Sequence, residues 1–334
     1  MRFSLIKFNS KFYILNKALK SLLLILSLAH LGCTTIKSTP VHLPPAQEGY
    51  VDAGDGVRLF YRLLGSGPDT LVVIHGGPGF TMDYFLKDLA PLSTNRVLLF
   101  YDQRGTGRST LASDSISLDA QRFAEDLEAI RSSFHLNRLT LMGHSWGSAV
   151  VALYAERYPE RLDKIIIVGG LPLQKHQLTD AFHRMEMRRD SSTLRKMDEL
   201  RLARRADPGN TAVCSAYYKL WFEPFYGNRS AATTSKGDFC AGTLESRRNK
   251  MNSVDRFTMA SLGQWDWRSS LSQISAPALV IHGTMDPLPI EGAQAWATVL
   301  PNARLVQLEG IGHFPYLEVP DHFFNMVDEF LQKN

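Results

Sequence analysis

Residues 139–158 read LTLMGHSWGSAVVALYAERY, and this stretch decides the fold. A short apolar β-type run comes first, the pentapeptide GHSWG follows, and a helical pattern begins at once. A serine between two glycines in this setting is typical of a nucleophile elbow, a sharp and strained strand-to-helix turn that exposes the hydroxyl. Glycine is needed two residues before and two residues after the serine because side chains at those positions would collide with neighbouring backbone. Ser145 is therefore the candidate nucleophile.

Short apolar runs alternate with helical patterns on both sides of this stretch. The predicted strands are 57–64, 71–74, 97–101, 139–142, 165–168, 278–282 and 305–308. Helical segments with the length of crossover connections lie at 118–134, 148–158, 290–300 and 320–332. The later runs are continuously apolar, as in strands that are buried on both faces of a parallel sheet. We therefore predict an α/β fold with a mostly parallel, doubly wound sheet.

The chain divides into four parts. The folded core is predicted at 49–170 and 271–334, and the strand signal stops between these two segments. The intervening residues, 171–270, are helical, charged and rich in aromatic side chains, and their length favours a lid over the sheet rather than a loop. We call this insert the cap. Residues 1–32 have the pattern of an export signal, and 33–48 that of an extended tether.

The basic excess of the chain belongs to the leader. The chain has 334 residues, of which 44% are apolar and 21% charged, with 37 Lys and Arg against 33 Asp and Glu. Five of these bases and no acid lie in residues 1–32, which leaves 32 bases against 33 acids. We therefore expect no nucleic-acid partner. The composition also excludes a disordered, collagen-like or coiled-coil chain.

An apolar run at 21–31 ends at Gly32-Cys33. The run suits the core of a signal peptide and is too short to cross a bilayer of about 30 Å. A small residue before the cysteine resembles the lipobox of bacterial lipoproteins, although His30 and Leu31 depart from that pattern. We predict that Cys33 is lipidated, so that the protein is exported and anchored to a membrane, facing the periplasm or the cell exterior. Plain secretion and an uncleaved anchor are the alternatives.

Two cysteines remain if Cys33 carries lipid. Cys214 and Cys240 form an even pair, and disulfides persist in an export compartment. We predict a disulfide between them, with two separate buried thiols as the alternative. Neither has a histidine or cysteine at metal-ligand spacing, so no metal site is expected.

A serine hydroxyl needs a base to remove its proton and an acid to orient that base. Asp286 follows the apolar run 278–282, and His313 follows the run 305–308. The order serine, aspartate, histidine is that of α/β-hydrolases, and each residue lies just past the carboxyl end of a strand. We predict that Ser145, Asp286 and His313 form a catalytic triad on an α/β-hydrolase fold, without a cofactor.

The glycine-rich segment HGGPG at 75–79 predicts an oxyanion hole. Such a turn lets backbone N–H groups approach a reacting carbonyl, and α/β-hydrolases take a second donor from the residue after the nucleophile. We assign the donors to Gly77 and Trp146, with Gly76 as the rival. A phosphate-binding loop is excluded because neither Gly-Lys-Ser/Thr nor a GxGxxG pattern is present.

Five segments together resemble the prolyl aminopeptidase, or proline iminopeptidase, family of α/β-hydrolases. They are HGGPG at 75–79, DQRGTGRS at 102–109, GHSWGS at 143–148, GTMD at 283–286 and GHFP at 312–315. The resemblance spans about 49–171 and 272–333, and it weakens across the cap. It implies a serine peptidase that removes an N-terminal residue, often proline, from short peptides.

The resemblance also implies that acidic side chains of the cap hold the free amino terminus. Glu223, in Trp221-Phe222-Glu223, is similar in setting to the family's aromatic-flanked acid, so Glu223 and Trp221 are the predicted substrate-binding residues. A solvated carboxylate at a helix end is the alternative for Glu223.

For Asp102 and Arg104 a buried salt bridge is expected. An esterase for small acyl esters, and a non-catalytic protein that binds a ligand, are the alternatives to an aminopeptidase.

Overall fold

The structure is a computed structural model that describes residues 47–187 and 189–333. The predicted export signal, Cys33 and the tether before Gln47 lie outside the described residues. Within the described ranges, no helix has both the length and the apolar character needed to cross a membrane.

Eight strands form one sheet in the order β1-β2-β4-β3-β5-β6-β7-β8. Their bounds are β1 (Gln47–Asp52), β2 (Arg58–Leu64), β3 (Thr70–Ile74), β4 (Val97–Tyr101), β5 (Leu139–His144), β6 (Leu162–Val168), β7 (Ala278–Gly283) and β8 (Ala303–Leu308). β1 and β2 are antiparallel to their neighbours, and the other strands are parallel. The predicted mostly parallel α/β sheet is confirmed. β1 has no counterpart among the predicted strands because it is largely exposed and carries no apolar run.

The helices connect the strands and cover the sheet. In chain order they are α1 (Leu86–Leu89), α2 (Ala120–Ser133), α3 (Gly147–Arg157), α4 (Lys175–Met187), α5 (Ser191–Ala206), α6 (Thr211–Phe222), α7 (Leu244–Asn249), α8 (Asp255–Ser261), α9 (Arg268–Leu271), α10 (Ile290–Val299), α11 (Pro315–Glu318) and α12 (Pro320–Gln332). Short 3₁₀ turns lie at Met82–Tyr84, Ala90–Thr94, Pro159–Arg161, Glu223–Phe225 and Arg229–Thr233, and a π-helical turn lies at Lys250–Val254.

Two apolar clusters sandwich the sheet. α2, α3 and α10 pack on one face, and α1 and α12 pack on the other together with aromatic residues of the cap. α3 is the most central helix, since it is buried at every position from Gly147 to Ala155. Its first turn is thereby held rigidly against the end of β5, which is the location of the predicted nucleophile.

The cap residues lie between β6 and β7 and form α4 to α9. Aromatic side chains join the cap to the core: the rings of Tyr218 and Phe80 are 5.1 Å apart, edge to face. Cys214 on α6 is disulfide-bonded to Cys240, with 6.0 Å between the Cα atoms. This bridge ties α6 to the irregular segment that follows it.

Candidate active site

Ser145 lies on a sharp turn between β5 and α3. Its φ of 54° is in the left-handed region, which is strained for a residue with a side chain, and its N–H donates to the Val168 carbonyl oxygen at 3.0 Å. A Cβ on Gly147 would overlap the Ile74 carbonyl oxygen, and one on Gly143 would lie 2.7 Å from the Gly147 carbonyl carbon. The turn can therefore form only with glycine at positions 143 and 147.

Asp286 and His313 meet at the same edge of the sheet. The His313 Nδ1 atom lies 2.7 Å from Asp286 Oδ2, and the other carboxylate oxygen accepts from the Leu288 N–H at 2.9 Å. Burial alone would raise the pKa of Asp286, but the contact with His313 holds that pKa below its usual value. Since Asp286 occupies Nδ1, Nε2 is the nitrogen left for Ser145, which lines the same cavity as His313.

Gly169 makes room for this hydrogen bond. It has a φ of 51°, and a Cβ there would lie 2.8 Å from His313 Nδ1 and 3.1 Å from Asp286 Oδ2. A larger residue would push the imidazole and the carboxylate apart.

The two glycines considered for the oxyanion hole differ in their hydrogen bonds. The Gly76 N–H donates to the Tyr84 hydroxyl at 2.7 Å, so it is already occupied. In residues 47–187 and 189–333, the N–H groups of Gly77 and Trp146 have no protein acceptor. Both remain available to a ligand, which favours the assignment of Gly77 over Gly76.

Tyr84 and His144 connect the glycine loop to His313. The Tyr84 hydroxyl donates to His144 Nδ1 at 2.6 Å, and His144 Nε2 donates to the His313 carbonyl oxygen at 3.1 Å. Burial lowers the pKa of His144 to about 3, so the ring is neutral and carries its proton on Nε2. Together with the Gly76 donor, these contacts form one continuous buried chain of hydrogen bonds. No sequence signal indicated it, because Tyr84 lies in no motif.

Gln103 ties the glycine loop to the elbow. Its side-chain oxygen accepts from Trp146 Nε1 at 2.9 Å, and its Nε2 donates to the His75 carbonyl oxygen at 2.7 Å. Its N–H donates to His75 Nε2 at 3.0 Å, and burial lowers the pKa of that histidine to about 4, so it remains a neutral acceptor. The two predicted oxyanion donors are therefore held in a fixed relation to each other.

Asp102 and Arg104 form buried ion pairs, but not with each other. Arg104 donates to both oxygens of Asp126, at 2.9 and 2.5 Å. Asp102 accepts from Arg108 Nε at 2.7 Å and from the Met82 N–H at 3.0 Å. These contacts anchor the loop that carries Gln103.

A cavity of about 380 Å³ contains Ser145 and His313. Its aromatic lining comprises Phe80, Tyr84, Phe182, Tyr217, Tyr218, Trp221, Phe222, Phe225, Phe239 and Phe314, and it thus includes Trp221, one of the two predicted substrate-binding residues. The charged lining residues are Arg201, Arg204, Arg205, Lys250 and Asp255. Asp255 is the only carboxylate among the described residues that line this cavity.

Glu223 does not line the cavity. It directly follows α6 and begins the 3₁₀ turn Glu223–Phe225, which places the Phe225 ring 5.1 Å from the His313 ring. The Glu223 carboxylate pairs with Arg229 at 2.9 Å, its side chain is 42% exposed, and it borders a separate cleft. Glu223 therefore fits the alternative given for it, a solvated carboxylate at a helix end. The substrate-binding role that the resemblance implied for it has no geometric support.

This arrangement can carry out covalent acyl transfer. A hydroxyl on a strained turn, an imidazole oriented by a buried carboxylate and two unoccupied N–H donors are the groups that such a reaction requires. Across the described ranges, no three His, Cys, Asp or Glu side chains cluster in a way that could hold a metal ion.

Comparisons with known proteins agree with this class. Residues 69–320 match the model of the α/β hydrolase fold family, and the chain belongs to that family. A proline iminopeptidase of Saccharolobus solfataricus is 29% identical over 286 residues, which cover 83% of this chain and 90% of that protein. A non-heme chloroperoxidase of Streptomyces lividans is 30% identical over 270 residues, 79% of this chain and 92% of that protein. The esterase EaEST of Exiguobacterium antarcticum is 18% identical, with a TM-score of 0.62 over 86% of this chain and all of its own.

Further proline iminopeptidases are 25% identical over most of the chain. The predicted resemblance to prolyl aminopeptidases is therefore confirmed, and the chain is a serine hydrolase of the α/β type. Relatives with different activities are about equally similar to this chain, so identity alone does not define its substrate.

The buried hydrogen-bond chain predicts the effect of Tyr84→Phe. The change leaves the Gly76 N–H and His144 Nδ1 without partners, so we expect the free energy of unfolding to fall by about 1–3 kcal/mol. We also expect kcat to fall, because the glycine loop loses its contact with the elbow. Denaturation curves and steady-state kinetics measure both effects.

Tyr101→Phe is the matched control. The Tyr101 hydroxyl is also buried but has no hydrogen-bond partner among the described residues. Its removal should leave stability and kcat unchanged or improved. Equal losses in the two variants would contradict the role of the Tyr84 contacts.

The low pKa values of His75 and His144 predict that the free energy of unfolding depends on pH. Because these pKa values lie below the usual 6.5, the unfolded chain binds protons that the folded chain does not, between about pH 6.5 and pH 4. Stability should therefore fall as the pH is lowered through this range, by up to about 1.4 kcal/mol per pH unit for each histidine.

Urea denaturation at several pH values should show a shallower dependence for His144→Gln. The exposed His183→Gln should match the wild type, and identical slopes in all three proteins would refute this explanation.

Proposed function

We propose that this serine hydrolase is an aminopeptidase that releases the N-terminal residue of short peptides. The observation that carries the hydrolytic part is the convergence of Ser145, His313 and Gly77 at one largely aromatic cavity, with the unoccupied N–H of Trp146 next to Ser145 in the chain. The aminopeptidase part is supported by the proline iminopeptidase relatives and by the presence of one carboxylate in that cavity.

The proposed mechanism follows from the positions of the groups. Ser145 Oγ attacks the carbonyl carbon, and its proton passes to His313 Nε2, while Asp286 holds the Nδ1–H and stabilises the imidazolium. The N–H groups of Gly77 and Trp146 receive the developing oxyanion. His313 then gives the proton to the leaving amine, and a water molecule hydrolyses the acyl-enzyme by the same route.

An aminopeptidase must also hold a charged amino group, which requires a nearby carboxylate when water is excluded. We propose Asp255 for this role in place of Glu223. Its side chain is 50% exposed, and its Oδ1 lies 3.1 Å from Lys250 Nζ. A carboxylate accepts about four hydrogen bonds, so Asp255 can bind a substrate ammonium beside Lys250.

An esterase is the second candidate, and the charge of the cavity favours it. Four cationic side chains line the cavity against one acid, and Lys250 already pairs with that acid. A neutral ester needs no ammonium site. The two candidates therefore differ in what Asp255 contributes.

The test compares three matched substrates on the same variants. Alanyl and prolyl arylamides carry a free amine, their N-acetyl forms do not, and p-nitrophenyl butyrate is a neutral ester. We expect Ser145→Ala to abolish turnover of all of them. Asp255→Asn should lower kcat/KM for the free amines roughly 10- to 100-fold and change the ester about twofold at most, as expected for loss of a charge-assisted contact.

Glu223→Gln is the control, and we expect it to leave both substrate classes unchanged. Equal losses on amine and ester in Asp255→Asn would make Asp255 a structural residue. Turnover of the ester with none of any free amine in the wild type would establish the esterase.

The place of action is a separate proposal. The leader motif and the disulfide between Cys214 and Cys240 support an exported protein anchored through lipid on Cys33. Mass spectrometry of the protein from its native membranes should find a mature chain that begins at Cys33 with a diacylglyceryl adduct. A soluble chain with an unmodified Cys33 would reject the anchor.

A further inference from the structure

The last turns of α5 bring three arginines to the cavity that contains Ser145. They are Arg201, Arg204 and Arg205. Cations are favourable near a helix C-terminus in any protein, so their presence alone indicates no ligand. The contacts of Arg204 distinguish it from the other two.

Arg204 is held in place by aromatic rings rather than by a carboxylate. Its guanidinium carbon lies 4.4 Å from the ring centre of Tyr217 and 4.6 Å from that of Tyr218, and Nη2 donates to the Tyr218 hydroxyl at 3.1 Å. Over the ranges that the structure describes, no acidic oxygen lies within 4.0 Å of it, whereas Arg201 pairs with Asp198 at 2.9 Å. A guanidinium has five donors, and one bond to a tyrosine leaves four.

The surrounding charges give this guanidinium no direct acidic partner among the described residues. Lys250, another cation of the lining, has its ammonium 3.1 Å from Asp255 and 2.9 Å from the Pro78 carbonyl oxygen. Asp255 shares its one negative charge with Lys250, so the four cations of the lining outnumber its single carboxylate, and Arg204 has no acidic partner of its own among the described residues. A planar guanidinium that is half-buried, stacked and unpaired is well suited to bind a carboxylate through two parallel hydrogen bonds.

We propose that Arg204 binds a carboxylate on the leaving-group side of the substrate, so that the enzyme prefers very short peptides with a free C-terminus, such as dipeptides. This inference rests on the proposed aminopeptidase function for its choice of substrate. A cavity of about 380 Å³ suits a small molecule, and a dipeptide places its terminal carboxylate one residue beyond the bond that is cleaved.

The test measures kcat/KM for a dipeptide, for the same dipeptide with a C-terminal amide, and for an aminoacyl arylamide. We expect the wild type to prefer the free acid over the amide by about tenfold or more. Arg204→Gln should lower kcat/KM for the free acid roughly 10- to 100-fold and change the other two about twofold at most. Arg204→Lys should recover part of the loss, since it keeps the charge without the planar donors.

Arg195→Gln is the matched control, because Arg195 is an exposed arginine of the same helix that does not line the cavity. It should behave as the wild type on all three substrates. Equal losses on acid and amide in Arg204→Gln, or no preference for the acid in the wild type, would overturn the proposal.

A second pair of substrates keeps this test independent of the peptidase assignment. If no free-amine substrate is cleaved, 4-acetoxybenzoate and its methyl ester replace the peptides, because they differ only in a carboxylate on the leaving group. Preference for the acid that is lost in Arg204→Gln would support the anion site even though the aminopeptidase proposal had failed. Equal rates on both esters would reject the anion site as well.

Discussion

The close approach of backbone at the elbow is the constraint on which the rest of the site depends. Gly147 lies against the Ile74 carbonyl oxygen and Gly143 against Gly147, so the end of β5, the start of α3 and the end of β3 are in direct contact. This contact forces Ser145 into its strained conformation, and the Val168 carbonyl oxygen holds it there. The strain is sustained because α3 is buried along its length and cannot move away from the sheet.

Buried neutral groups extend this rigidity to the other parts of the site. Gln103 joins the glycine loop to Trp146, and Tyr84 with His144 joins the same loop to the backbone of His313. Uncharged donors and acceptors can be fully paired in a dry interior without the desolvation cost of ions. The nucleophile, the base and the oxyanion donors are thus positioned by one network rather than by three separate loops.

The core of this site could be predicted from the sequence, because Ser145, Asp286 and His313 each follow an apolar strand. The network behind them could not be predicted. Tyr84 meets His144, and Gln103 meets His75 and Trp146, only once β3, β4 and β5 have paired in the sheet. In the cap, the family resemblance pointed to Glu223 because of its aromatic neighbours, whereas the turn after α6 places that residue at a separate cleft. Asp255 and Arg204 carried no signal because their significance depends on which helix faces overlie the cavity.

The central claim is that Ser145 is a nucleophile activated by His313, and a covalent probe tests it most directly. After incubation with a fluorophosphonate, peptide mass spectrometry should find one phosphonylated residue, Ser145. Labelling should be much slower in His313→Ala, because the hydroxyl then lacks its base. Labelling of a different residue, or labelling of Ser145 at the same rate without His313, would contradict the account.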